Sequence, residues 1–223
     1  MPVIRLEQVS KIYKNSRRGV SATLQIDLTV RHGDFLFVTG PRGSGKSTLL
    51  SLMAGAIEPD RGRIWIGSGE IWAMDRADRE DLLDCLGVVL ADHALHDGET
   101  VFKNLASSNH LEYLKNRLFD QRRIEKALSL VGMAGSADRY PGDMTDSERA
   151  RVLLAKAIWR SPPVLILDSL AERADDGTVW DMLHLLDALN RRGTTVVFST
   201  AENRYTTTMH KRVVSLFDGH AGR

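Results

Sequence analysis

A single cysteine, Cys85, stands in a chain of 223 residues. A framework of internal disulfides is excluded, and the simplest expectation for one thiol is a core residue in a reducing compartment. Neither sign of charge is in excess: 30 Lys and Arg face 29 Asp and Glu, a formal +1. A chain held on DNA or RNA through phosphate contacts carries a basic surplus, so no nucleic-acid partner is expected. Long apolar runs are also missing. Crossing a bilayer takes roughly 20 apolar residues, and the strongest run, Val164 to Leu167, has only the length of a core strand. The opening MPVIRLEQVS lacks an apolar signal region. Together these absences predict a cytoplasmic chain whose membrane role comes through a partner. Internal repeats and low-complexity segments are absent too. What is present is ordinary for a folded soluble protein: 43% hydrophobic and 26% charged residues, a balance that argues against disorder.

Hydrophobic period organises the chain. Ala22, Leu24, Ile26, Leu28 and Val30 alternate with polar residues, the pattern of a strand with one buried face. Ile4 and Leu6 predict an earlier strand of the same kind, with a polar turn at Ser16 to Gly19 between them. After the His32-Gly33-Asp34 turn, Phe35 to Thr39 reads as a buried strand, and Arg63 to Ile66 as a short strand after the turn at Pro59 to Gly62. The period then changes. Ile124, Ala127, Leu128 and Val131 recur at helical spacing, and Leu105 to Phe119 reads as helix, so about 90 to 160 is expected to be a helix-rich insert. Buried strands return at Val164 to Leu167 and Thr194 to Thr200, separated by an amphipathic helix carrying Val179, Met182, Leu183, Leu186 and Leu189. Strands alternating with helices predict a mostly parallel sheet, with an antiparallel edge from the N-terminal hairpin.

Gly40-Pro41-Arg42-Gly43-Ser44-Gly45-Lys46-Ser47 fits G-x-x-x-x-G-K-[ST], directly after a buried strand and before the apolar helix that opens at Thr48 and Leu49. Glycines let backbone N–H groups converge on phosphate oxygens, Lys46 reaches the outer phosphates, and the Ser47 hydroxyl is placed to ligate Mg²⁺. The helix N-terminus adds partial positive charge. A second buried strand, Val164 to Leu167, ends in Asp168, placed to hold Mg²⁺ through water. His93, His96 and His110 lack compact ligand spacing and read as solvated. Lys11, Lys14, Arg17 and Arg18 form a small basic cluster that reads as a solvated turn.

Four stretches, in the same order over nearly the whole chain, resemble the nucleotide-binding subunits of ABC transporters, in particular the group of FtsE, LolD and MacB. They are VIRLEQVSKIYKN, FLFVTGPRGSGKSTLL, the Asp92-His93 pair after Ala91, and Thr100 to Leu105. The resemblance implies an α/β P-loop fold: a mostly parallel sheet core, an N-terminal antiparallel β subdomain and a helical subdomain. Residues 1–90 and 161–223 would form the core lobe and 91–160 the helical one. It implies ATP or ADP with Mg²⁺ as ligands, held by the loop from Gly40 to Thr48. It implies that Tyr13 stacks on adenine, and that two nucleotide-binding subunits form a head-to-tail homo- or heterodimer. The partner implied is a membrane-spanning FtsX-like or permease subunit, met through about 91 to 120 at the inner face of the cell membrane.

The family pattern breaks at four elements. Ala91 stands where the family has a glutamine that senses Mg²⁺ and the γ-phosphate, and Met144-Thr145-Asp146-Ser147-Glu148 where it has LSGGE. Ser169 replaces the glutamate after the strand-end aspartate, and Ala201 the switch histidine. A water-positioning base is worth about 10²–10⁴ in rate, and a serine hydroxyl does not supply it. Asp146 brings negative charge to the place where the family's signature meets phosphate. Thr145-x-x-Glu148 still reads as a capping box, so the helix start is kept as structure. Glu172, Asp175 and Glu202 lie close in sequence, but none occupies the strand-end position. The reading is an ATP-binding subunit with little or no hydrolysis, a clamp or regulatory pseudo-ATPase. An active transport ATPase with a divergent site, or another P-loop small-molecule kinase, are the alternatives. A GTPase would carry N-K-x-D, which the chain lacks.

Overall fold

The computed structural model describes residues 2–15, 19–106, 110–217 and 220–222. The N-terminal alternation produces β1 (Pro2–Asn15) and β2 (Gly19–Arg31), an antiparallel pair. Ile4, Leu6 and Val9 face inward from β1, and Ile26, Leu28 and Val30 from β2. The phase slips by one between Leu6 and Val9, where Gln8 adopts φ 47°, a bulge that turns Val9 into the core in its place. Of the turn expected at Ser16 to Gly19, residues 16–18, with Arg17 and Arg18 of the basic cluster, lie outside the described residues, and Gly19 already opens β2.

A ten-stranded sheet runs through the molecule. Its other strands are β3 (Phe35–Thr39), β4 (Arg61–Ile66), β5 (Gly69–Glu70), β6 (Leu86–Val89), β7 (Val164–Leu167), β8 (Thr195–Thr200), β9 (Arg212–Phe217) and β10 (His220–Gly222). The order is β5-β4-β1-β2-β10-β9-β3-β8-β7-β6. β9, β3, β8, β7 and β6 are parallel, while β2, β1, β4 and β5 are antiparallel. β4 begins at Arg61, two residues before its expected start. β5, β6, β9 and β10 have no counterpart among the expected strands.

Seven α-helices are described: α1 (Lys46–Met53), α2 (Arg76–Asp84), α3 (Val101–Ala106), α4 (His110–Leu130), α5 (Asp146–Ile158), α6 (Asp176–Arg191) and α7 (Asn203–Met209). Both faces of the parallel strands are covered, which explains their continuous apolar runs. Leu36, Val38, Ile166 and Val197 pack with α1 and the inward residues of the hairpin. Phe37, Leu165, Leu167 and Phe198 pack on the other face with α4, α5 and α6. Ile124, Ala127, Leu128 and Val131 are buried there, as the helical period requires. Between Ala106 and His110, residues 107–109 of the expected helix at Leu105 to Phe119 lie outside the described residues. Helix begins only at Val101; residues 90–100 form an irregular segment. No described helix is long and apolar enough to cross a membrane.

Cys85 corrects the sequence expectation. It is exposed at the C-cap of α2, and its thiol donates to the Asp81 carbonyl at 3.4 Å. α2 buries none of its residues, so the position at its end has no core to enter.

Candidate functional site

β3 delivers the chain into the glycine-rich loop. Gly40 has φ 146°, and a Cβ there would sit 2.4 Å from the Leu216 carbonyl and 2.6 Å from Ser44 Oγ, so no larger residue fits. Gly45, at φ 99°, turns the chain into α1 from the left-handed region. α1 is held down by Leu49, Leu50, Leu52 and Met53, all buried, at about 1.5–3 kcal/mol for each large apolar side chain. Its N-terminus has neither a side-chain cap nor an acidic residue in its first turn. The Lys46 ammonium folds over the loop and donates to the Gly40 carbonyl at 2.7 Å and the Pro41 carbonyl at 3.1 Å. Arg42, Gly43 and Ser47 are exposed along the same turn, and Ser44 is buried with no partner for its hydroxyl. Thr48 Oγ1 donates to Tyr13 Oη at 3.3 Å, which brings Tyr13, 42% exposed, to the edge of the loop.

Parallel pairing brings the acid to the same end of the sheet. Val38 lies opposite Ser199 and Leu167 opposite Phe198, so Gly40, Asp168 and Thr200 all leave their strands at one edge. Asp168 is 1% exposed. Its Oδ1 accepts a hydrogen bond from Ser199 Oγ at 2.5 Å, and its Oδ2 is buried without a partner. Ser169 follows in the left-handed region, φ 57°, with its N–H donating to Ser199 Oγ at 3.0 Å. A buried carboxylate oxygen without a donor, together with the exposed Ser47 hydroxyl, is a hard-oxygen set suited to Mg²⁺.

The four elements at which the sequence departs from the expected pattern lie in different surroundings. Ala91 is exposed, and its carbonyl accepts from the Arg173 guanidinium at 2.5 Å. The same guanidinium reaches the carbonyls of Leu90 at 3.3 Å and His93 at 2.8 Å. At the start of α5, Thr145 and Glu148 complete the capping box: Glu148 N–H donates to Thr145 Oγ1 at 3.2 Å, and Thr145 N–H to Glu148 Oε2 at 2.9 Å. Ser147 Oγ donates to Asp175 Oδ2 at 2.5 Å and accepts from the Asp175 N–H at 3.0 Å. Asp175 also caps α6 by accepting from the Thr178 N–H and hydroxyl. The Ser147 hydroxyl, then the Thr178 donors, bring the Asp175 carboxyl down to about 2. Ala201 is exposed just past β8, and the neighbouring Glu202 pairs with Arg204 at 3.5 Å.

Comparison with known proteins agrees with this architecture. The family described as ABC transporter matches residues 24–171. The cell division ATP-binding protein FtsE of Mycobacterium tuberculosis is 33% identical, over 99% of this chain and 95% of its own length. FtsE of Bacillus subtilis is 32% identical, over 97% of this chain and 93% of its own length. The chain belongs to the ABC transporter family. Among solved structures, the dimeric ATP-binding cassette MJ0796 in a post-hydrolysis state bound to ADP and Pi superposes with a TM-score of 0.82. It is 23% identical and covers 99% of this chain and 97% of that one, a likeness that carries the fold.

The fold of this ABC cassette is therefore the expected one, with an antiparallel N-terminal sheet, a parallel core and helices on its faces. It brings Tyr13, Gly40, Lys46 and Thr48 together, and Asp168 to the same sheet edge. It disperses the three carboxylates near the strand end. Glu172 lines a cleft of about 320 Å³ with Asp146, Arg149 and Arg173, Asp175 is committed to two helix starts, and Glu202 is paired. His93 and His96 are exposed, the His110 side chain lies outside the described ones, and no metal-binding cluster of His, Cys, Asp or Glu occurs among the described residues. Although His93 is exposed as a residue, partial desolvation of its ring, opposed by Asp92 and reinforced by Lys156 and Arg173, lowers the imidazole from the usual histidine value. Sequence reasoning missed Arg173 and Ser199. Their partners lie 80 to 83 and 30 to 31 positions away, beyond any local pattern.

Proposed function

We propose that this cassette is the ATP-binding subunit of an FtsE-like complex, binding ATP or ADP with Mg²⁺ and hydrolysing little or none of it. In this reading Gly40 to Thr48 cradle the phosphates, Tyr13 stacks on adenine, and Ser47 and Asp168 hold the metal. The subunit pairs with a second nucleotide-binding subunit, the same or a different chain. It acts as a clamp or regulatory pseudo-ATPase on a membrane-spanning FtsX-like or permease partner. The core lobe comprises 1–90 and 161–223, and the helical subdomain, 91–160, meets that partner through about 91 to 120.

One contrast carries the reading: the phosphate loop is complete, while the position after Asp168 holds Ser169 in the left-handed region, with Asp175 bonded to Ser147 and Glu202 paired with Arg204. Bound Mg²⁺ would neutralise phosphate charge; this chain's residues would bind and orient the nucleotide without activating a water. The names of the relatives, cell division ATP-binding proteins, support the complex and the ligand.

A steady-state ATPase assay on the purified chain, beside Lys46→Ala, tests the reading. The expected result is no phosphate release above that of Lys46→Ala, together with measurable ATP binding by the wild type alone. Turnover that Lys46→Ala abolishes would establish the active-ATPase alternative. Co-purification from detergent extract tests the partner: recovery of the chain only free of membrane protein, with and without ATP, would count against it.

A further inference from the structure

A carboxylate at the end of a strand has two oxygens and two rotatable bonds, so its value to a metal depends on what fixes it. Asp168 is fixed by one side chain. Ser199, on β8, is fully buried, and the parallel register of β7 and β8 sets it beside Asp168. A serine hydroxyl has one proton to give. The Ser169 N–H donates to Ser199 Oγ at 3.0 Å, so that oxygen's acceptor side faces Ser169 and its proton is directed to Asp168 Oδ1, 2.5 Å away. The direction of the chain of bonds is set: Ser169 N–H to Ser199 Oγ, Ser199 O–H to Asp168 Oδ1. Oδ2 is buried with no donor among the described residues, and a carboxylate oxygen in that condition is suited to a cation or to water bound to one.

We propose that Ser199 is the positioning residue of the Mg²⁺ site, holding Asp168 so that Oδ2 is the oxygen offered to the metal. The proposal rests on the reading that the chain binds Mg²⁺ with nucleotide. It adds a residue that no motif in the sequence marks. The same hydroxyl holds the Ser169 backbone in its left-handed conformation, so a single group sets both the metal acid and the residue after it.

The test separates metal binding from nucleotide binding. Affinity for ATP is measured by calorimetry in excess Mg²⁺ and in EDTA for the wild type, Ser199→Ala, Ser199→Thr and Ser199→Val. Thr and Val have the same shape and differ only in the hydroxyl, so their comparison stands even if Ser199→Ala fails to fold. In EDTA all variants should bind ATP within about twofold of the wild type. Loss of a residue that orients a metal ligand costs about 10–100-fold in metal affinity, so Ser199→Ala and Ser199→Val should lose the gain that Mg²⁺ gives, and Ser199→Thr should keep it. An unchanged Mg²⁺ gain in Ser199→Ala, or equal losses for Thr and Val, overturns the proposal while leaving nucleotide binding intact. A wild type that binds no ATP in either buffer overturns the nucleotide reading and this one with it.

Discussion

Two helix N-termini in this cassette have opposite fates. α1 opens from Gly45 with no side-chain cap and no acidic residue in its first turn. α5 opens from a complete capping box, with Asp146 and Glu148 in its first turn and Ser147 bonded to Asp175. The first few N–H groups of any helix lack partners within it, and an anion or a side-chain oxygen can satisfy them. At α1 they remain for a ligand. At α5 the protein's own oxygens have taken the place of one. In the proposed reading this element keeps its structural work and gives up its chemical work: α5 retains its start and its buried face, with Asp146 and Glu148 in its first turn.

The largest effect expected from breaking this contrast is at α1. Lys46→Ala should weaken ATP binding about 100-fold, at about 1.5–3 kcal/mol for each charge-assisted hydrogen bond lost; equal affinity of the two proteins by calorimetry would remove the loop from the site. The next sharpens the comparison from the other side. Ser169→Glu alone should leave ATPase activity at background, because the new side chain would start from a left-handed backbone and the other three elements would remain altered. Repairing Ser169, Ala201, Ala91 and the Asp146-Ser147 pair together is the informative counterpart, and activity from the single change would refute the argument from non-additivity. Smaller still is the capping box. Thr145→Ala should cost about 1 kcal/mol and lower Tm by about 2–4 °C without changing ATP affinity, read by calorimetric melting and titration.

The smallest effect concerns acid. The folded Asp175 carboxyl, at about 2, lies below the ordinary aspartate value of 3.8. Its contribution is therefore fully present above about pH 4 and is lost as pH falls toward 2. Asp175→Asn should flatten that part of the stability profile in urea melts between about pH 4 and 2. An unchanged acid limb would show that the Ser147 contact does not persist in solution.

How much of this was legible in the sequence follows from distance along the chain. The strand, loop and helix from Phe35 to Met53 are consecutive, so spacing alone revealed them, and the Thr145 to Glu148 box spans a single turn. Cys85 was misjudged because residue type speaks for the average environment, while α2 is an exposed helix. β6 was missed because Gly87 interrupts a short run; its lack of a side chain lets the strand approach the Ala157 carbonyl, which a Cβ would meet at 2.4 Å. Ser199 and Arg173 acquire their partners only when the sheet and the irregular segment after β6 are assembled.

The ten-stranded sheet has a narrow waist. Among the described residues β10 joins β2 through one register pair, His220 with Gln25, while β1 and β2 are paired along most of their length. Tyr13 belongs to the hairpin on one side of the waist, and the glycine-rich loop follows β3 on the other. A nucleotide seated between them as proposed would lie across that narrow join and act as a mechanical tie. Its contacts would add to the buried cluster that the hairpin and the parallel core already share, so that the ligand becomes part of the frame as well as its cargo.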